Sequence, residues 1–228
     1  MTSADLASIT LRELNATLHA LPADTNETHW LVANPGGKHA IACGLTLPIT
    51  VEIDGHVGYY CAGMNSEATV LVKGNAGVGI AENMMSGEVR VQGDASQAAG
   101  ATGNGGLLVI EGNASARCGI SMKGIDIVVK GSIGPMSAFM AQAGNLVVLG
   151  DAGEALGDSI YEARLFVRGA VKSLGSDCEE KPMTSDDRSV LDAVLAKAGI
   201  ADVDAGAFRL YGSARKLYHF HVDNVDAY

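Results

Sequence analysis

Along most of this chain, aliphatic side chains come in pairs at i and i+2, and a glycine follows two residues later. The pairs are Val51/Ile53, Val70/Val72, Val89/Val91, Leu108/Ile110, Ile127/Val129, Leu146/Val148 and Leu165/Val167. The glycines are Gly55, Gly74, Gly93, Gly112, Gly131, Gly150 and Gly169, each 19 residues after the last. Alternation that ends at glycine predicts a short strand with one buried face, closed by a turn. Glycine there suits either a positive φ or the close approach of another backbone. Seven units at one spacing, without insertion, predict a solenoid in which each unit buries its apolar edge against the next. A 19-residue unit fits one coil of a β-helix. It is not a multiple of the hexapeptide period of left-handed forms, and G-G-x-G-x-D calcium repeats do not recur. The expected fold is therefore all-β: a right-handed parallel β-helix of about seven turns.

Other columns of the repeat refine this. Seven residues after each glycine stand Ala62, Ala81, Gly100, Gly119, Ala138 and Gly157, which predicts a tight inner corner. Met64, Met84, Met122 and Met140, two or three places further on, are expected to fill core gaps. Three residues before each glycine the column reads Glu52, Leu71, Arg90, Val109, Val128, Val147 and Phe166. Alternation points these outward, yet the last four are apolar. A contiguous outer stripe needs a cover, either the chain's own C-terminal segment or a partner subunit.

Three segments are expected: 1–49, a cap helix and lead-in; 50–175, the β-helix; and 176–228, a helix and an aromatic tail. Thr10 and Glu13 form a capping box ahead of Leu11, Leu14, Leu18 and Leu21, and Pro22 ends that helix. Residues 28–50 suggest irregular early strands, with Gly36 in register for a degenerate extra turn. After a polar connector from Ser176 to Asp187, Ser185 is expected to cap a helix carrying Val190, Leu191, Val194 and Leu195, which Gly199 stops. The tail from Phe208 onward contains Arg215, Tyr218, His219, Phe220 and His221. It is expected to dock along the solenoid or insert into a neighbour.

A net charge of −10 argues against a nucleic-acid surface. No apolar run approaches the length of a membrane span, and no signal peptide is visible, so a cytoplasmic protein is expected. Cys43, Cys61, Cys118 and Cys178 show no metal-ligand spacing. Cys61 and Cys118 stand three turns apart, about 14 Å on a strand spacing of ~4.8 Å, too far for a disulfide. They read as small buried thiols.

Candidate chemistry is sparse. The corners Gly77-Val-Gly79 and Gly103-Asn-Gly-Gly106 match neither a Walker A motif nor a dinucleotide fingerprint. His219 and His221 would share one face of a strand, but no third metal ligand is nominated, and interface hydrogen bonding suits them better. Asp94 and Asp151 follow their glycines three turns apart, so no carboxylate pair of the glycosidase kind arises. No catalytic, cofactor-binding or metal site is expected on this chain. The residues offered instead as an interface are Val109, Val128, Val147, Phe166, Arg215, Tyr218, His219, Phe220 and His221.

The V-x-G-x-x-G units Val72-Lys-Gly-Asn-Ala-Gly77, Val129-Lys-Gly-Ser-Ile-Gly134 and Val148-Leu-Gly-Asp-Ala-Gly153 resemble the GXGXG domain. That domain closes the glutamate synthase large subunit and recurs in a formylmethanofuran dehydrogenase subunit. Leu11-Arg-Glu-Leu-Asn and Ser213-Ala-Arg-Lys-Leu-Tyr-His-Phe-His-Val-Asp-Asn224 are similar to the free-standing GXGXG subunits of glutamate-synthase-like complexes, that of N-methylglutamate synthase above all. The resemblance implies a right-handed β-helix that braces other subunits and holds no catalytic residue. It implies two partners, a class II glutamine amidotransferase-like chain and an FMN-binding chain with an iron–sulfur cluster, so that both cofactors lie off this chain. A formylmethanofuran-type complex and a stand-alone binding solenoid are the alternatives.

Overall fold

The computed structural model describes residues 2–201 and 203–216. Strands β1 (Thr2–Asp5), β2 (His29–Ala33), β3 (Thr50–Ile53), β4 (Thr69–Val72), β5 (Glu88–Val91), β6 (Leu107–Ile110), β7 (Lys123–Val129), β8 (Ala143–Val148) and β9 (Arg164–Val167) stack in sequence order, all parallel. From β3 to β9 the register is unbroken in the apolar pairs: Val51, Val70, Val89, Leu108, Ile127, Leu146 and Leu165 form one ladder. All seven are fully buried, as are their i+2 mates. A second wall is drawn together by single bridges running Val57–Ala76–Ala95–Ala114–Ile133–Ala152–Val171. The protein is thus an all-β parallel β-solenoid with few helices.

From Gly74 to Gly169 the repeat glycines are needed for closeness, not for a positive φ; Gly55, at φ +143°, is the exception. From Gly93 to Gly169 each donates its N–H to the previous repeat glycine's carbonyl at 2.9–3.1 Å. A Cβ on Gly131 would stand 2.7 Å from the Gly112 carbonyl oxygen and 2.4 Å from Asn113 Oδ1. Beside this column runs a ladder of side-chain acceptors. His56 Nδ1 accepts from the Asn75 N–H, Asn75 Oδ1 from Asp94, Asp94 Oδ1 from Asn113 and Asn113 Oδ1 from Ser132. Ser132 Oγ then accepts from Asp151, and Asp151 Oδ1 from Ala170.

Positive φ belongs to the third wall. In six consecutive turns, the residues five, seven and nine places after the glycine all have φ between 51° and 72°, starting with Tyr60, Ala62 and Met64. Left-handed backbone disfavours most side chains by about 1–2 kcal/mol, and hydrogen bonds to adjacent turns offset this. The Tyr60 N–H donates to the following turn, Ala62 to the preceding one and Met64 to the following one. The middle member points inward, and only Gly or Ala fits there.

Helix α1 (Leu11–His19) carries the expected Thr10/Glu13 capping box and buries Leu14 and Leu18 against the first turns. The lead-in forms a full turn, but Trp30 pairs with Val51, so it is two residues longer than the repeat. Gly55 consequently packs against Pro35, 3.1 Å from its Cβ position, and not against Gly36. Strand β1 is an addition that the periodicity did not predict.

Helix α2 (Ser185–Lys197) starts one residue earlier than expected: Thr184 is the cap, in a capping box with Asp187. Gly199, at φ +75°, ends it. The helix lies across the outer face of the sheet and is tied down along its length. Asp187 in its first turn pairs with Arg164 of β9 at 3.1 Å. Lys197 in its last turn reaches Asp126 of β7 at 3.1 Å, and Arg90 of β5 donates to the Ala198 carbonyl at 3.1 Å. Each contact sets a charge of the favourable sign at a helix end. The supposed connector contributes β10 (Cys178–Lys181), and the start of the tail forms β11 (Arg209–Ser213), which pairs antiparallel with both β9 and β10. Charged Glu179, Glu180 and Lys181 on the outermost strand discourage pairing with another chain.

Two outcomes test this packing. Replacing Gly131 with Ala should destabilise the protein by about 2–3 kcal/mol, read as a lowered urea midpoint. Adding Asn113→Ala should recover part of that loss, since Asn113 Oδ1 is the nearest obstacle, and strict additivity would refute the stacking account. Phe166→Ala should cost about 3–5 kcal/mol, because that ring is fully buried between sheet and helix.

Candidate subunit interface

Four residues offered as a partner surface are not on the surface. Val109, Val128, Val147 and Phe166 are fully buried in a cluster with Leu191, Val194, Leu195 and Ala198 of α2 and with Phe208 and Leu210. Of the two possible covers, the chain's own C-terminal segment is the one present. The outward column turns apolar from Val109 onward because that is where α2 lies; before it stand Glu52, Leu71 and Arg90.

Arg215 does lie on the surface. It pairs with Glu162 at 2.7 Å, both about 60% exposed, an arrangement worth little in stability. It borders a cavity of about 360 Å³, lined also by Arg164, Lys181, Asp187 and Tyr211, where the chain leaves β11. The cations here already have carboxylate mates: Arg164 with Asp187, Lys181 with Glu179. Tyr218, His219, Phe220 and His221 lie outside the described residues.

The repeated polar groups are engaged in holding the turns together. The N–H groups of Gly77, Gly79, Gly103 and Gly105 donate to backbone carbonyls, so these corners offer no free cradle for a phosphate. Asp94 and Asp151 are rungs of the acceptor ladder. On the open sheet face, the Lys73 hydrogen bond, with His29 beside it, holds the Glu52 carboxyl below its usual range. For Glu111 partial burial works upward, but Lys130 and Arg90 outweigh it and keep that carboxyl low as well. Neither is poised as a general acid. Cys61 and Cys118 are buried as expected, and burial pushes both thiols up, that of Cys118 to about 12. They stay protonated and unreactive.

One surface feature escaped the sequence reading. Of the five large apolar side chains exposed among the described residues, four fall between positions 59 and 85: Tyr59, Tyr60, Met64 and Met85. Tyr59 stacks on His39 with centroids 4.5 Å apart, and its N–H donates to His39 Nδ1 at 2.8 Å. Tyr60 meets Tyr59 edge-on at 6.4 Å. Met64 was expected to fill the core, as Met84 and Met122 do, yet it is 56% exposed. The difference is parity: Met84 and Met122 stand ten residues after their glycines and point in, whereas Met64 and Met140 stand nine after and are outside the core. A signal existed for the tyrosines too. Later turns place Val78-Gly79, Gln97-Ala98, Ala116-Arg117, Pro135-Met136 and Glu154-Ala155 at the same two positions.

Among the described residues, no helix is long and apolar enough to cross a membrane. No family model matches the chain. It is 62% identical over 224 residues to Protein GlxC of Rhizobium meliloti (strain 1021), covering 98% of each chain. With that identity along the whole of both chains, and with three V-x-G-x-x-G units in register on a β-solenoid, the protein belongs to the family of Protein GlxC, a glutamate synthase-like GXGXG family.

Proposed function

We propose that this chain is a non-catalytic scaffold subunit of a glutamate-synthase-like complex, and specifically of N-methylglutamate synthase. That complex would convert methylamine and L-glutamate to N-methyl-L-glutamate and ammonia. The observation that carries the scaffold role is the use of the repeat's polar groups. Ladder side chains and corner N–H groups bond turn to turn, which suits a rigid strut. The partners would be a class II glutamine amidotransferase-like subunit and an FMN-binding subunit with an iron–sulfur cluster, and the assembly would be cytoplasmic. The sequence match to Protein GlxC supports the glutamate-synthase-like level of this proposal, and the GXGXG resemblance supplies the partners and the reaction.

The test is affinity purification from the native host, followed by mass spectrometry and an absorption spectrum. A yellow complex containing both partner types, forming N-methylglutamate from methylamine and glutamate, is the expected result. A colourless protein purifying alone would overturn the scaffold role. A yellow complex inert towards methylamine would overturn the choice of reaction. Because the Val128 column lies beneath α2, Val128→Ala should lower stability by about 1–2 kcal/mol while leaving assembly intact.

A further inference from the structure

The exposed residues of the first two repeat turns form a built platform. His39, in the lead-in turn beside them, stacks on Tyr59 and accepts the Tyr59 backbone N–H at Nδ1, which holds the imidazole against the phenol ring. Tyr60 lies over Gly79: a Cβ there would be 2.7 Å from Tyr60 Cδ1 and 2.8 Å from Glu82 Oε2. Glycine at 79 thus makes room for an aromatic ring and brings a carboxylate to its edge. Met64 joins the platform because its N–H donates to the Glu82 carbonyl at 2.7 Å. Glu67 flanks the same turns, its N–H held by Ser86 Oγ at 3.0 Å.

Exposed carboxylates without a cation, Glu27 and Asp192 among them, occur elsewhere on the described surface; at this patch they stand beside exposed aromatic rings and thioethers. Glu52, Glu111, Glu154, Glu162 and Glu179 each pair with a cation. Among the described residues, Glu67 and Glu82 have no such mate. Two tyrosine faces, two thioethers and two unpaired carboxylates make a surface complementary to guanidinium. Arginine can lie flat on an aromatic ring and pair with a carboxylate through its edge, while its methylenes cover apolar surface. The net charge of −10 favours the approach of such a partner. The stacked rings reduce the ordering needed on binding.

We infer that His39, Tyr59, Tyr60, Met64, Glu82 and Met85 form the docking surface for an arginine-bearing face of a partner subunit. This rests on the scaffold role proposed above and names where one contact is made. The experiment co-expresses the full chain with the FMN-binding and amidotransferase-like subunits, with p-benzoylphenylalanine replacing Tyr60. Irradiation should link position 60 to an arginine-containing peptide of one of those subunits. Glu82→Lys, and separately Tyr59→Ala with Tyr60→Ala, should weaken assembly about tenfold or more with unchanged thermal melting. Asp24→Lys, a charge reversal elsewhere on the surface, should leave assembly unaltered.

Links only between copies of this chain would overturn the inference, as would assembly indifferent to both patch variants. An equal loss with Asp24→Lys would reduce the effect to overall charge and also overturn it. If the unaltered chain fails to assemble, the scaffold role falls and the docking surface falls with it. If it assembles normally in every variant, the docking surface alone falls.

Discussion

From Gly74 to Gly169, a carbonyl oxygen of the preceding repeat glycine stands 2.3–3.0 Å from the place a Cβ would take. That closeness governs the rest of the molecule. It requires glycine once per turn, and from Gly93 onward it lets each N–H reach the glycine carbonyl below. It also places the next residue's side chain where it can accept from the turn above. An insertion within one turn would break three ladders together: the glycine bonds, the side-chain acceptors and the buried aliphatic register. The constant spacing over seven units follows from this coupling, since a solenoid turn has only its two neighbours to pack against.

Periodicity made this part of the fold legible. An i, i+2 pair before glycine, repeated without drift, admits few structures other than stacked coils, and the small residues seven places later correctly marked the inner corner. What periodicity could not resolve was the wall between strands. There every second backbone is left-handed, so the direction of a side chain depends on counting from the glycine by single residues. Met64 was misplaced for that reason. The lead-in turn misled similarly: Gly36 fits a count of 19, but the pairing of Trp30 with Val51 shows a longer coil closed on Pro35. Strands β1, β10 and β11 have no repeat to announce them, and their pairing is settled by neighbours distant in sequence.

The apolar stripe shows how much a surface argument from sequence can carry. That Val109, Val128, Val147 and Phe166 needed a cover was legible, because four outward apolar residues on adjacent strands cannot stay wet. The identity of the cover was not, because it depends on where α2 lands. Three polar contacts decide that placement, those of Arg164, Asp126 and Arg90 with successive parts of the helix. Of these, only Arg90 stands in the stripe's own column, and there it marks the edge of the covered area.

A structure that engages its repeating polar groups in its own assembly leaves function to residues that depart from the repeat. Along the columns of the third wall, the departures are the paired tyrosines of one turn and the outward methionines beside them. No later turn places an aromatic ring at these positions: the Tyr60 column continues as Gly79, Ala98, Arg117, Met136 and Ala155. The neighbouring residues are adapted to them, with His39 stacked on one ring and Gly79 vacated beneath the other. A solenoid can change one turn in this way without disturbing the next, because the glycine column and the aliphatic ladder carry the stacking and the outer side chains are left free to vary. The same independence that makes the fold regular therefore lets a single turn carry a contact surface.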